Sequence, residues 1–380
     1  MSEIPFDNLS DILKLLPVKS LLRFRCLSKA HCCLIDTPDF INLHLSHSNN
    51  TNPNNRLIMF ETTSQHIKTY LMDLDSPEQH IVECDHPHNN TCQVFGSCNG
   101  LIALYHPQEG MFLWNPSTQK HQKLRYLWGK NFTNRSCDDY LLDGFGYDPV
   151  SDDYKLIRIR TIDRKWRKGS RGMVYSIKHN SCRRIEDFPY KCNGRRDCGT
   201  LVGSCLHWIV SEPGYSSDQL IFVLNLEDER YRALPIPGGL KKSWCKLGEV
   251  GGCLTLSASW PYVEIWVMKE YGNRDSWIRI LHVYEPKMSF RPIRYSKTGD
   301  KLLSFYPHIC QLWECDLKEE GQTSQVSQNY ISNFNQQPPN VSDKRFRRIE
   351  VLGSDILYPQ FSECCHYSII CVRSLVSVHV

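Results

Sequence analysis

Cys84, His86, His88 and Cys92 put four potential metal ligands within nine residues. Thiolates and imidazoles in that number suit tetrahedral zinc. Their spacing fits no common finger or ribbon, and no two of the 18 cysteines stand as C-x-x-C. Pro87 and Asn89-Asn90 mark the stretch as a polar loop, so no metal is expected there. Nucleophile chemistry fares no better. GSCNG (residues 96–100) and GSCLH (203–207) set Ser beside Gly without the G-x-S-x-G elbow. GFGYDP (144–149) runs into Pro149 and is not a G-x-G-x-x-G phosphate loop; Asp148-Pro149 with Ser151-Asp152-Asp153 reads as a turn. The remaining His, Asp and Glu are scattered. No catalytic residue, cofactor or metal ligand is assigned.

Binding chemistry is better represented. RIRTIDRKWRKGSR (158–171) holds seven Lys or Arg around one Trp. It reads as an extended loop, and Arg164, Lys165, Trp166, Arg167, Lys168 and Arg171 are the candidate contacts to an acidic partner. An aromatic among arginines has the composition of a binding hot spot. A solvated loop explains the stretch equally well. Nucleic acid is not expected, because one loop and a net charge of +4 make a poor electrostatic footprint. KRFRR (344–348) reads as the solvated end of a polar linker, with nuclear targeting as the other reading.

These stretches need a scaffold, and the chain supplies a repeating one. Hairpin signatures recur at YLMDLDS (70–76), FLWNPSTQKHQKL (112–124), VYSIKHNSCRRI (174–185), FVLNLEDERYRAL (222–234), IWVMKEYGNRDSWIRI (265–280) and LWECDLKEE (312–320). Aligning Leu71, Leu113, Tyr175, Val223, Trp266 and Trp313 gives intervals of 42, 62, 48, 43 and 47 residues. Glycine-led apolar strands precede most of them, as in GSCNGLIAL and GTLVGSCLHWIV. Four-stranded units at this period are propeller blades, which must stack around an axis to bury both faces. Six units are expected, with residues after Phe346 returning to complete a blade with residues 57–70. The basic stretch falls in the longest interval.

The first 45 residues are different. Leu9, Ile12, Leu13 and Leu16 recur at helical spacing, and Pro17 then restarts the chain. A second apolar helix runs through Leu27, and a third covers residues 40–45. The Asn-rich run 46–56 reads as a polar linker. Around the second helix, Val18, Leu21, Leu22 and Arg25 lie on one side and Phe24 and Leu27 on the other. Apolar residues on both sides exceed what so small a unit can bury alone. A second protein is the simplest cover for the excess. The acidic start has no secretory signal, and no apolar run nears the ~18 residues of a membrane span. A soluble cytoplasmic or nuclear protein is expected.

Residues 16–29 (LPVKSLLRFRCLSK) and 34–40 (LIDTPDF) resemble the F-box of plant F-box proteins. GSCNGLIAL, FLWNPST, GFGYDPVSDDYKLIRI, VYSIKHNSCRRI and WVMKEYGNRDSW resemble their kelch-like F-box-associated domain, as in relatives of S-locus F-box proteins. The resemblance implies an F-box at 1–45, a linker at 46–56 and a six-bladed β-propeller at 57–380. It implies docking of a Skp-type adaptor, and through it a cullin/RING ligase, at Pro5, Leu9, Ile12, Leu13, Leu16, Pro17, Val18, Lys19, Leu21, Leu22, Arg23, Arg25, Cys26 and Leu27. The propeller would capture a target protein for ubiquitination. His31 stands where the family usually has Trp, which predicts looser packing, and Arg373 stands where an acid is common. The alternative is a propeller enzyme or sugar-binding module with the helices packed on the ring.

Overall fold

The computed structural model describes residues 6–50, 55–62, 67–74, 81–84, 87, 92–125, 139–164, 167–186, 190–192, 196–211, 218–237, 240, 244–259, 262–284, 290–296, 298–306, 311–317, 346–349 and 365–378. Four helices come first: α1 (Phe6–Leu13), α2 (Val18–Phe24), α3 (Lys29–Ile35) and α4 (Pro38–Asn50). Three were expected. Pro17, in extended backbone, starts α2. α2 stops at Phe24, short of the expected Leu27, and the additional helix α3 follows it, capped by Ser28, whose Oγ accepts from the His31 N–H at 3.2 Å. Thr37 does the same for α4, accepting from Phe40 N–H at 3.2 Å ahead of Pro38 in the first turn.

The helix expected to end at Leu45 runs on to Asn50, through residues assigned to the linker. Ser, His and Asn are weak helix formers, so packing must hold this turn. His44 and Ser48 are buried, and Ile41 and Leu45 pack on a core cluster of the β domain. The helices therefore sit on the β domain instead of hanging from it.

Six antiparallel-based sheets follow. Blade 1 runs Cys365–Val372, Asn55–Thr62, Ile67–Asp73, Ile81–Cys84, so a late strand completes the first sheet. Blade 2 holds Gln93–Cys98, Leu101–His106, Gly110–Asn115 and Lys120–Lys123. Blade 3 holds Asp139–Asp148, Asp153–Arg164, Arg167–Ser176 and Ser181–Ile185, with Arg196–Cys198 added in parallel beside the first strand. Blade 4 is built on Cys205–Ser211, Gln219–Asn225 and Tyr231–Pro235; Lys191–Cys192 and Thr200–Val202 share the edge of Cys205–Ser211. Blade 5 holds Trp244–Val250, Cys253–Ser259, Tyr262–Met268 and Trp277–Tyr284. Blade 6 holds Arg291–Tyr295, Lys301–Tyr306, Gln311–Asp316 and Phe346–Ile349.

The six residues aligned in the sequence all fall on the third strand of their blades. That strand is paired on both edges and packed on both faces, which is why it reads as an apolar run. Six hydrophobic clusters each join two consecutive blades. The one between blades 6 and 1 contains Leu57, Tyr70, Met72, Ile293, Leu303 and Phe305, and it shuts the ring. At Gly144 and Gly199 the chain passes so close to Trp208 that a Cβ would lie 2.9 and 2.7 Å from its ring. These glycines therefore permit close packing of blade 3 on blade 4.

Two loop expectations are corrected. The basic stretch 158–171 is the body of a long blade 3 hairpin: Arg164 faces Arg167 across the ladder, and the pairing continues to Lys155 opposite Ser176. Within it Arg158 is fully buried. KRFRR likewise ends in a strand, Phe346–Ile349, that forms the outer edge of blade 6.

Candidate docking surfaces

The helical unit has its own core of Leu13, Val18, Leu21, Ile35 and Phe40. One further member comes from far along the chain: Leu375, just beyond the last strand. The apolar excess assigned to a partner is thus partly covered by the protein itself. The fourteen residues assigned to adaptor docking separate accordingly. Leu13, Val18 and Leu21 are buried at 1%, 2% and 0% exposure and support the surface from within. They cannot meet a partner that docks on the intact helices. Leu9, Leu16, Leu22 and Arg25 are half-buried, while Pro17, Lys19, Arg23 and Cys26 are exposed. Ile12 and Leu27 stand out at 52% and 64%. Pro5 lies outside the described residues. Leu15, outside that set, is 60% exposed; its place in the Leu15-Leu16-Pro17 run was the signal the sequence offered.

Arg25 donates to Asp36 at 2.6 Å, tying the end of α2 to the end of α3. This bond favours the charged guanidinium and raises its pKa. His31 is half-buried, and its Nδ1 lies 2.7 Å from Ser28 Oγ, so its side chain and backbone N–H both meet the capping serine. His44 Nε2 lies 3.0 Å from the Leu16 carbonyl, joining α4 to the α1–α2 turn, and burial lowers its pKa. On the ring side, Val18, Lys19 and Leu22 face a cleft of about 480 Å³ whose other walls include Leu71, Val82, Pro116 and Gln119.

The ring's proposed target contacts are less assembled. Arg171 is exposed, and Arg164, Arg167 and Lys168 lie on the blade 3 hairpin. Lys165 and Trp166 are outside the described residues, as are His86 and His88. Blade 5 exposes Tyr262, Tyr271 and Ile278 at 42%, 44% and 50%, which the sequence reading missed. Tyr262 stacks on His282 at 4.6 Å between centroids, and His282 Nδ1 lies 2.7 Å from Glu264 Oε1. Among the described residues no three His, Cys, Asp or Glu gather as a metal site would require.

Under this surface, polar ties hold the blades. Arg158 Nε and Nη2 donate to Asp143 at 2.7 and 3.1 Å, with both side chains almost fully buried. The guanidinium also lies over Phe95 and Tyr105 of blade 2, at 4.6 and 4.8 Å. Lys155 of blade 3 reaches Leu226 O and Glu229 of blade 4, and Asp148 of its own blade. These ties make a rigid platform for loops.

Residues 1–43 match the F-box domain, and residues 55–316, well over half of the chain, match the F-box associated beta propeller domain. The chain belongs to the F-box proteins. Similar relatives come from Arabidopsis thaliana. The F-box protein CPR1 is 34% identical over 333 residues, spanning 80% of this chain and 79% of that one. The F-box protein At4g22390 is 29% identical over 353 residues, spanning 85% and 86%. The F-box/kelch-repeat protein At3g23880 is 26% identical over 328 residues, spanning 82% and 88%. In this F-box protein the propeller match ends at residue 316. Blades 6 and 1 are completed by strands beyond it. No helix among the described residues is long and apolar enough to cross a membrane.

Proposed function

We propose that this F-box protein is the substrate-recognition subunit of an SCF-type ubiquitin ligase. The observation that carries the reading is an F-box whose core is complete yet leaves Ile12, Leu15 and Leu27 more than half exposed. Large apolar side chains left on a satisfied helical unit suit a protein partner. A Skp-type adaptor docks there, with Lys19 and Arg23 at the rim, and brings the cullin and RING subunits. The propeller holds a target protein, with the basic blade 3 hairpin and the blade 5 aromatics as candidate contacts. The chain performs no bond chemistry. It raises the effective concentration of target lysines at the charged conjugating enzyme. The protein works in the cytoplasm, the nucleus or both.

The test is co-purification of the full chain with Skp-type adaptors of its host, followed by reconstitution with cullin and RING subunits. Capture of an adaptor and assembly of the four-protein complex are expected. A folded chain that captures no host adaptor would refute the proposal.

A further inference from the structure

The segment after the last blade strand has no regular secondary structure, and its side chains alternate between two layers. Leu375 enters the core of the helical unit. Val376 and Val378 enter the cluster between blades 2 and 3, against which Ile41 and Leu45 of α4 also pack. A strand-like period of two delivers this two-sided burial from adjacent residues. The segment thus gives Leu375 to the core of the helices and Val376 and Val378 to the core of the ring.

One side chain pins them. Asn115, at the end of the third strand of blade 2, is fully buried. Its Nδ2 donates to the carbonyls of Ser374 at 3.2 Å and Val376 at 2.9 Å. Its Oδ1 accepts from Ser117 and Thr118 N–H at 2.8 and 3.3 Å, forming the Asn-Pro-Ser-Thr turn. Both ends of the amide are used, and only the nitrogen end serves the segment. Ser374 Oγ adds a bond to the Asn99 carbonyl at 2.6 Å. Arg373 pairs with Asp73 of blade 1. The segment is therefore fixed to blades 1 and 2 before Leu375 leaves it for the helices.

We propose that residues 373–378 are a strap that sets the orientation of the F-box on the propeller, and that Asn115 is its positioning residue. The strap replaces what a flexible linker would leave free. Without it, the helices keep the α4 contacts but lose Leu375 from their core and the pinned layer beneath them. The geometric claim stands on the bonds above. Its consequence, a fixed direction from adaptor to target, rests on the receptor reading. For proximity catalysis that direction matters, because small misplacements of reacting groups cost rate.

Two variants of the full chain separate the parts. Asn115→Asp keeps the Oδ1 acceptor for the turn and removes the donor to Ser374 and Val376. Leu375→Ala leaves Val376 and Val378 in the ring. Labels at the exposed residues Asn8 and Asp275, introduced as bio-orthogonal amino acids, report the distance between helices and ring. Hydrogen exchange reports the helices themselves. Wild type is expected to give one narrow distance distribution. Both variants are expected to broaden it, and Leu375→Ala to speed exchange in α1–α3 by at least ~30-fold, the equivalent of one truncated core leucine. Ring amides are expected to keep their protection, which a general loss of folding would not allow. Narrow, unchanged distributions in both variants overturn the strap, as does broadening accompanied by equal loss of ring protection. Neither outcome depends on adaptor capture, so failure of the receptor reading is scored separately.

Discussion

Leu27 and Leu21 belong to the same short stretch, yet their substitution should have opposite consequences. Full burial of a leucine-sized side chain is worth ~1.5–3 kcal/mol. Leu27 has 64% of its surface left to bury and Ile12 has 52%. Covering both on docking contributes about 2–3 kcal/mol. Leu27→Ala with Ile12→Ala should therefore weaken adaptor binding by ~30- to 150-fold. Being exposed, the pair should shift stability by less than ~0.5 kcal/mol per site. Leu21 is fully buried in the helical core. Leu21→Ala should cost ~2–5 kcal/mol of local stability through the cavity it leaves. Its binding defect would then follow from loosened helices. The assays are titration calorimetry against the purified adaptor and hydrogen exchange over residues 6–50. If the exposed double variant binds as wild type while Leu21→Ala keeps full helix protection, the division into surface and core residues is wrong. The docking face then lies elsewhere.

Two further outcomes follow from the buried polar groups. Asp143→Ala should destabilise the ring by ~3–5 kcal/mol, because it leaves the Arg158 guanidinium buried without its carboxylate, and adding Arg158→Met should recover much of the loss in urea denaturation; equal losses in single and double variants would show that pairing is not the cause. His207 is held neutral by burial, its pKa lowered to about 4, with Nδ1 3.0 Å from the Thr200 carbonyl and Nε2 2.7 Å from Tyr271 Oη. Its contribution is complete above the unfolded value near 6.5 and is lost as pH falls toward 4, on the order of 3 kcal/mol. His207→Gln should flatten the stability profile across that window, and an unaltered slope would refute the assignment.

The propeller was legible because blade strands declare themselves locally. Leu71, Leu113, Tyr175, Val223, Trp266 and Trp313 could be aligned by eye, and each is in a third strand, where burial on both faces forces apolar composition. Glycines were legible as punctuation, though not as the close-packing positions that Gly144 and Gly199 turn out to be beside Trp208. The basic stretch misled because charge reads as exposure. Arg158 stands directly across the ladder from Asp143, and the pair is hidden between blades. The extent of α4 misled for a related reason. Ser46–Asn50 has linker composition, but Ser48 is buried, and tertiary packing outweighs propensity.

Sequence alone determined the two unlike regions, the blade period, the family resemblance and the apolar excess of the first helices. Those properties are written in short-range composition and spacing. It did not determine which apolar residues of the first helices are buried. That depended on Leu375, more than three hundred residues away, filling the same core as Leu21. Nor did it show that Asn115 spends its two amide ends on different tasks, a turn and a strap. Burial and hydrogen-bond partnership are properties of what the fold brings together, and a period in one dimension carries no record of them.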